Sequence, residues 1–99
     1  MSGKRKYQIF MAPSAHKKYK KFHPALKGKV KEEAEKLAEA PYLCGELKGH
    51  LKGIRSCHFE FDKVQYRIAY RILEDEKEIE IVLIKSRENF YQILRRLIK

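Results

Sequence analysis

Three strand-like runs in the last third of the chain, joined by short polar links, constrain the fold more than any other feature. They cover residues 54–62, 64–73 and 78–85. In the first, Cys57, Phe59 and Phe61 alternate with Ser56, His58 and Glu60. In the second, Tyr66, Ile68, Tyr70 and Ile72 alternate with Arg67, Ala69 and Arg71. Successive strand side chains point to opposite faces, so each run reads as a half-buried strand. Residues 81–84 of the third run are apolar without a break and read as its best-buried part. The links Asp62-Lys63 and Glu74-Asp75-Glu76-Lys77 are short enough for hairpins, which makes these strands antiparallel. A histidine, a carboxylate and arginines then share one open sheet face.

The rest of the chain supplies helices for the other face. Residues 7–11 read as an opening strand. Pro13 and Ser14 start a helix with Ala15, Tyr19 and Phe22 at helical spacing, and His23-Pro24 breaks it. A second helix runs from Pro24 to about Ala40, with Leu26, Val30, Ala34, Leu37 and Ala38 as its buried stripe. The short link makes the two helices antiparallel neighbours. Residues 42–53 hold Gly45, Gly49 and Gly53 among Lys48, His50 and Lys52, and read as a loop. Ser86 is the expected N-cap of a C-terminal helix over 88–99. Phe90, Ile93, Leu94 and Leu97 form its apolar stripe, and Arg95, Arg96 and Lys99 lie at the end where cations suit the helix dipole. The order is β-α-α-β-β-β-α, an α+β class fold with a small antiparallel sheet, in a single domain spanning 1–99.

Composition narrows the function. The chain carries 23 Lys and Arg against 13 Asp and Glu, a net charge of +10 on 99 residues. That excess favours a polyanionic partner, either nucleic acid or an acidic protein. No apolar run approaches the ~20 residues of a membrane-spanning helix, and the basic start lacks a signal-peptide core. A cytoplasmic location is expected. Cys44 and Cys57 form no paired motif, so free thiols are expected, with Cys57 in the core. Cys44, His50, Cys57 and His58 match no common zinc spacing, and neither metal nor cofactor is expected.

Four local strings, in order, extend this reading. They are Pro13-Ser14-Ala15-His16-Lys17-Lys18, Leu47-Lys48-Gly49-His50-Leu51-Lys52-Gly53, Gln65-Tyr66-Arg67-Ile68-Ala69-Tyr70-Arg71 and Lys85-Ser86-Arg87-Glu88-Asn89-Phe90-Tyr91. Together they resemble the RelE/ParE superfamily of toxins from type II toxin–antitoxin systems. The resemblance implies a helical hairpin on one face of the sheet and a basic, concave opposite face. In the RelE branch that face cleaves mRNA in the ribosomal decoding site without a metal. In the ParE branch the same fold targets DNA gyrase. Both branches are typically neutralised by an antitoxin that wraps around the toxin, here expected to present an acidic, amphipathic segment. An inert fold that only binds its antitoxin is a third reading.

RNA cleaves itself when its 2′-OH attacks the adjacent phosphate. The reaction needs a base, positive charge for the transition state and an acid for the 5′-oxygen. The resemblance places Arg67 at the scissile phosphate and Arg87 and Lys85 as a second basic pair. It places Tyr91 as a stacking or proton-transferring residue. His58 and Glu60 stand where the best-known RelE branch carries lysines; Glu60 is the expected base, with His58 its partner or the acid. Lys48, His50, Lys52, Arg55 and Arg71 are expected RNA contacts. The plainer alternatives are an ion pair of Arg67 with Glu60, a capping role for Lys85 and simple packing for Tyr91.

Overall fold

The apolar run at 81–84 lies in the second strand of a four-stranded sheet and decides how the layers stack. In this computed structural model, which describes residues 6–98, the strands are β1 (Gln8–Met11), β2 (Arg55–Phe61), β3 (Val64–Leu73) and β4 (Glu78–Ser86). Their spatial order is β1-β4-β3-β2. The basic start at residues 1–5 and Lys99 lie outside the described residues. β2, β3 and β4 are antiparallel, as the hairpin links require. β1 departs from the expected all-antiparallel sheet: it pairs with β4 in parallel, Gln8 opposite Glu78 through Met11 opposite Ile81. Its partner is remote in sequence, so no hairpin sets its direction.

A bulge splits the apolar run between the two faces. Ala69 pairs with Leu83, but Tyr70 pairs with Ile81, leaving Val82 as the extra residue. Ile79, Ile81 and Ile84 face one core, and Val82 and Leu83 the other. An inserted residue resets the alternation of a strand. Beyond it, Lys85 falls on the same face as Leu83 and opposite Arg67. Strict alternation from Ile79 and Ile81 would have sent Lys85 to the helix side.

Helices α1 (Pro13–Lys20) and α2 (Pro24–Glu39) cover the first core. Ala15, Leu26, Val30 and Leu37 pack there against Phe59, Ile68 and Tyr70. Burying a Val or Leu side chain contributes roughly 1.5–3 kcal/mol. Pro24 opens α2 with its φ preset, and His23 Nδ1 accepts the Ala25 N–H at 3.0 Å. The opposite face is covered only in part. Helix α3 (Phe90–Leu97) and a 3-10 turn at Gly49–Leu51 bury Phe90, Leu94 and Leu51 over Ala69, Val82 and Leu83. The remaining strip carries the polar residues of β2 and β3.

Further expectations meet the structure in the links and the loop. The β2–β3 link is a tight hairpin in which Asp62 and Lys63 both take left-handed φ, 52° and 66°, the pattern of a type I′ turn. The C-terminal helix begins at Phe90, not beside Ser86, and the left-handed Asn89 precedes it with no side-chain cap. Lys85 Nζ donates to the carbonyls of Ser86 and Glu88, which holds residues 86–89 as a turn. The cysteines are not free: Cys44 and Cys57 are joined, with Cα atoms 5.5 Å apart. A bridge between Glu46 and Arg55 folds the loop back along β2 and brings Cys44 beside Cys57, a proximity that their separation in sequence does not reveal. Cys57 does pack against the helix-side core. No helix among the described residues is long and apolar enough to cross a membrane.

Candidate functional site

Strand register builds the site as two rows. His58 pairs with Arg67, and Arg67 with Lys85, so one row crosses β2, β3 and β4. Glu60 pairs with Gln65 in the next row, and the Arg87 N–H donates to the Gln65 carbonyl at 3.0 Å. Directly opposed residues carry their side chains on one face. His58, Gln65, Arg67 and Arg87 line a depression of about 240 Å³. An adjoining cleft of about 730 Å³ is lined by Lys63, Gln65, Arg67, Ser86, Arg87 and Tyr91, among others.

Arg67 is held rather than neutralised. Its Nη1 donates to the Tyr91 hydroxyl at 3.1 Å, and its guanidinium carbon lies 5.3 Å from the centre of the Tyr91 ring. Its Nε is shielded and has no protein acceptor among the described residues. No carboxylate among the described residues lies within ion-pair range of it. Glu60, the partner that would have neutralised it, instead accepts the Gln65 side-chain amide at 3.1 Å. Arg67 is therefore a positioned cation whose charge is not matched by a carboxylate. Its planar fork suits phosphate oxygens. Tyr91 is placed by α3, whose Phe90 and Leu94 anchor in the core while Tyr91 stays half-buried.

Comparison with known proteins finds a family match over most of the chain. Residues 9–95 match the family described as ParE-like toxin of type II bacterial toxin-antitoxin system. The chain belongs to the ParE-like toxin family. Among solved structures, it resembles the RelBE2 toxin–antitoxin complex of Mycobacterium tuberculosis, with a TM-score of 0.72 at 24% identity over 82% of this chain and 98% of that one. The isolated RelE toxin of E. coli gives 0.68 at 15% identity, over 92% of this chain and 98% of that one. A YoeB/ParE toxin from Agrobacterium tumefaciens gives 0.66 at 14%, over 81% of this chain and 98% of that one. At these identities the likeness is one of fold. No curated protein matches the chain at a significant level.

In this ParE-like toxin the residues expected from sequence fall into three groups. His58, Arg67, Arg87 and Tyr91 line the two depressions. Glu60 shares the face but lines neither. Lys85 also shares the face, with its amine donating to backbone carbonyls. Burial lowers the Lys85 pKa, with the charge of Lys18 adding to that and Glu88 opposing it. Arg71 forms an ion pair with Glu80 at 2.9 Å, so its charge is matched locally. Arg55 lies on the other face: its Nη1 donates to the Cys44 carbonyl at 2.6 Å and its guanidinium covers the Tyr42 ring. It shares strand parity with Cys57 and Phe59, so alternation already pointed away from the site. Lys48, His50 and Lys52 are exposed; Lys48 and Lys52 line a separate depression with Glu46. Gln65 and Lys63 are cleft residues not singled out beforehand. Gln65 has the parity of Arg67, which could have found it. Lys63 enters through the left-handed turn, which parity does not describe.

Proposed function

We propose that this toxin is an endoribonuclease that cleaves mRNA in the ribosomal decoding site by 2′-OH attack on the adjacent phosphate. The 2′-oxygen bonds to phosphorus and the bond to the 5′-oxygen breaks. One proton leaves the 2′-OH and one is delivered to the 5′-oxygen. Arg67 and Arg87 face the charge that develops on the phosphoryl oxygens. Fixed charges of this kind contribute about 10²–10³-fold each in rate. His58 takes the 2′-OH proton: it lines the depression with both arginines, whereas Glu60 does not. The Tyr91 oxygen accepts from Arg67, so its own hydrogen stays available for the leaving oxygen, and its ring offers a stacking surface.

The observation that carries this reading is the Arg67–Tyr91 pair, a held cation without a carboxylate, in one row with His58. The test is to induce the wild type and Arg67→Ala in cells and map transcript ends. Cut messages with the wild type and intact ones with the variant are expected. Intact messages under wild-type induction would sink the proposal. Membership of the ParE-like family favours a second reading, inhibition of DNA gyrase. A supercoiling assay with the purified protein separates the two, and a third reading, an inert fold, predicts no effect in either assay. Because the Mycobacterium tuberculosis relative is a toxin–antitoxin complex, we also propose a cognate antitoxin with an acidic, amphipathic segment.

A further inference from the structure

The positive charge of the chain is unevenly placed. The first 31 residues hold ten Lys and Arg and no Asp or Glu, while residues 32–99 hold thirteen of each. The whole excess belongs to the first third, and the part that builds the cleft is balanced. Lys17, Lys18, Lys20 and Lys21, on α1 and its C-cap, are all exposed. No carboxylate among the described residues lies within ion-pair range of any of them. Lys29 and Lys36 differ, since both pair with Glu33. Like charges three and four apart on a helix are destabilising, so α1 itself gains nothing from this cluster.

The cluster adjoins the cleft. Lys18 is near enough to Lys85 for their charges to interact. His23, in the turn that follows α1, lines an open pocket with Val64 and Tyr66, and Val64 also lines the cleft that holds Arg67 and Arg87. The end of the β2–β3 hairpin thus borders the cleft on one side and, on the other, the turn that follows the lysines of α1. The surface also lacks the marks of a protein interface. Protein interface cores are depleted in Lys and enriched in aromatic residues. Among the described residues, the large exposed apolar ones are Phe10, Tyr42, Leu43, Val64 and Leu97, and none lies on α1. Point charges without apolar anchors suit a phosphate backbone.

We infer that Lys17, Lys18, Lys20 and Lys21 form a second phosphate-binding surface, which holds RNA phosphates flanking the one in the cleft. A strand seated on Arg67 and Arg87 passes over the end of the sheet at Lys85 and continues onto α1. This rests on the reading of the cleft as an RNA site.

The test is RNA binding across a salt series, with a short RNA that fills only the cleft and a longer one that extends beyond it. Each phosphate contact of a single strand adds about 0.7 to the slope of log affinity against log salt. The variant K17Q/K18Q/K20Q/K21Q should lower the slope for the long RNA by about 2–3 and leave short-RNA binding unchanged. The corresponding four Lys→Arg changes should keep the wild-type slope, which separates charge from folding. Arg67→Ala should weaken both lengths. An unchanged long-RNA slope in the Gln variant overturns the inference, as does an equal loss with the short RNA. If Arg67→Ala affects neither length while the Gln variant still lowers the slope, the surface stands and the cleft reading fails.

Discussion

His58 and Glu60 share a face of β2 but not an environment. His58 sits in the Arg67 row and lines the depression, while Glu60 is one row out and bonded to Gln65. Replacing His58 by Gln is therefore expected to slow single-turnover cleavage of ribosome-bound mRNA by about 10²–10⁴-fold, the worth of general acid–base help. Glu60→Gln should retain most of the rate. The reverse ranking would return the base role to Glu60. Alternation alone puts both residues on the Arg67 face, so that much was legible in the sequence. Their ranking was not, because it depends on where Arg87 and Tyr91 arrive from β4 and α3. Arg55 teaches the opposite lesson: its charge suggested an RNA contact, while its parity with Cys57 and Phe59 already placed it on the helix side.

Elements joined by short links were legible, and elements joined by distant pairings were not. The hairpins β2–β3 and β3–β4 followed from alternation and two polar links. The parallel edge strand β1 has its partner far along the chain, and the Val82 bulge, although inside the β3–β4 hairpin, leaves no mark in an unbroken apolar run. α3 starts beyond the expected Ser86 cap because a lysine amine, not a helix cap, organises residues 86–89. The bond between Cys44 and Cys57 belongs with these, since it depends on a loop folding back onto β2. Closing a loop of this size contributes about 3 kcal/mol, mainly by restricting the unfolded chain. Reduction, or Cys44→Ser with Cys57→Ser, is expected to lower the melting temperature by roughly 10–20 °C. Identical melting curves with and without reductant would show that the bond contributes nothing.

At the scale of the whole molecule, one carboxylate joins three distant segments. Glu74 accepts from Tyr7 at 2.9 Å and from Tyr42 at 2.6 Å, and pairs with Lys77. Lys77, then Tyr42 and Tyr7, hold its pKa down to about 2. A carboxyl lowered on folding adds stability above its unfolded pKa and loses it as the pH falls toward the folded value. Wild type should therefore lose stability between about pH 4.5 and 2 more steeply than Glu74→Gln, which should be the less stable of the two at neutral pH. Parallel stability curves would show that this network contributes nothing to the fold's stability. Cleavage itself is expected to depend on Arg67. The direct measurement is to incubate purified wild type and Arg67→Ala with mRNA-programmed ribosomes and determine the chemistry of the new RNA ends. A 2′,3′-cyclic phosphate is expected on the upstream fragment and a 5′-hydroxyl on the downstream one, both lost with Arg67→Ala. Intact mRNA with the wild type, or cleavage that survives Arg67→Ala undiminished, would contradict it.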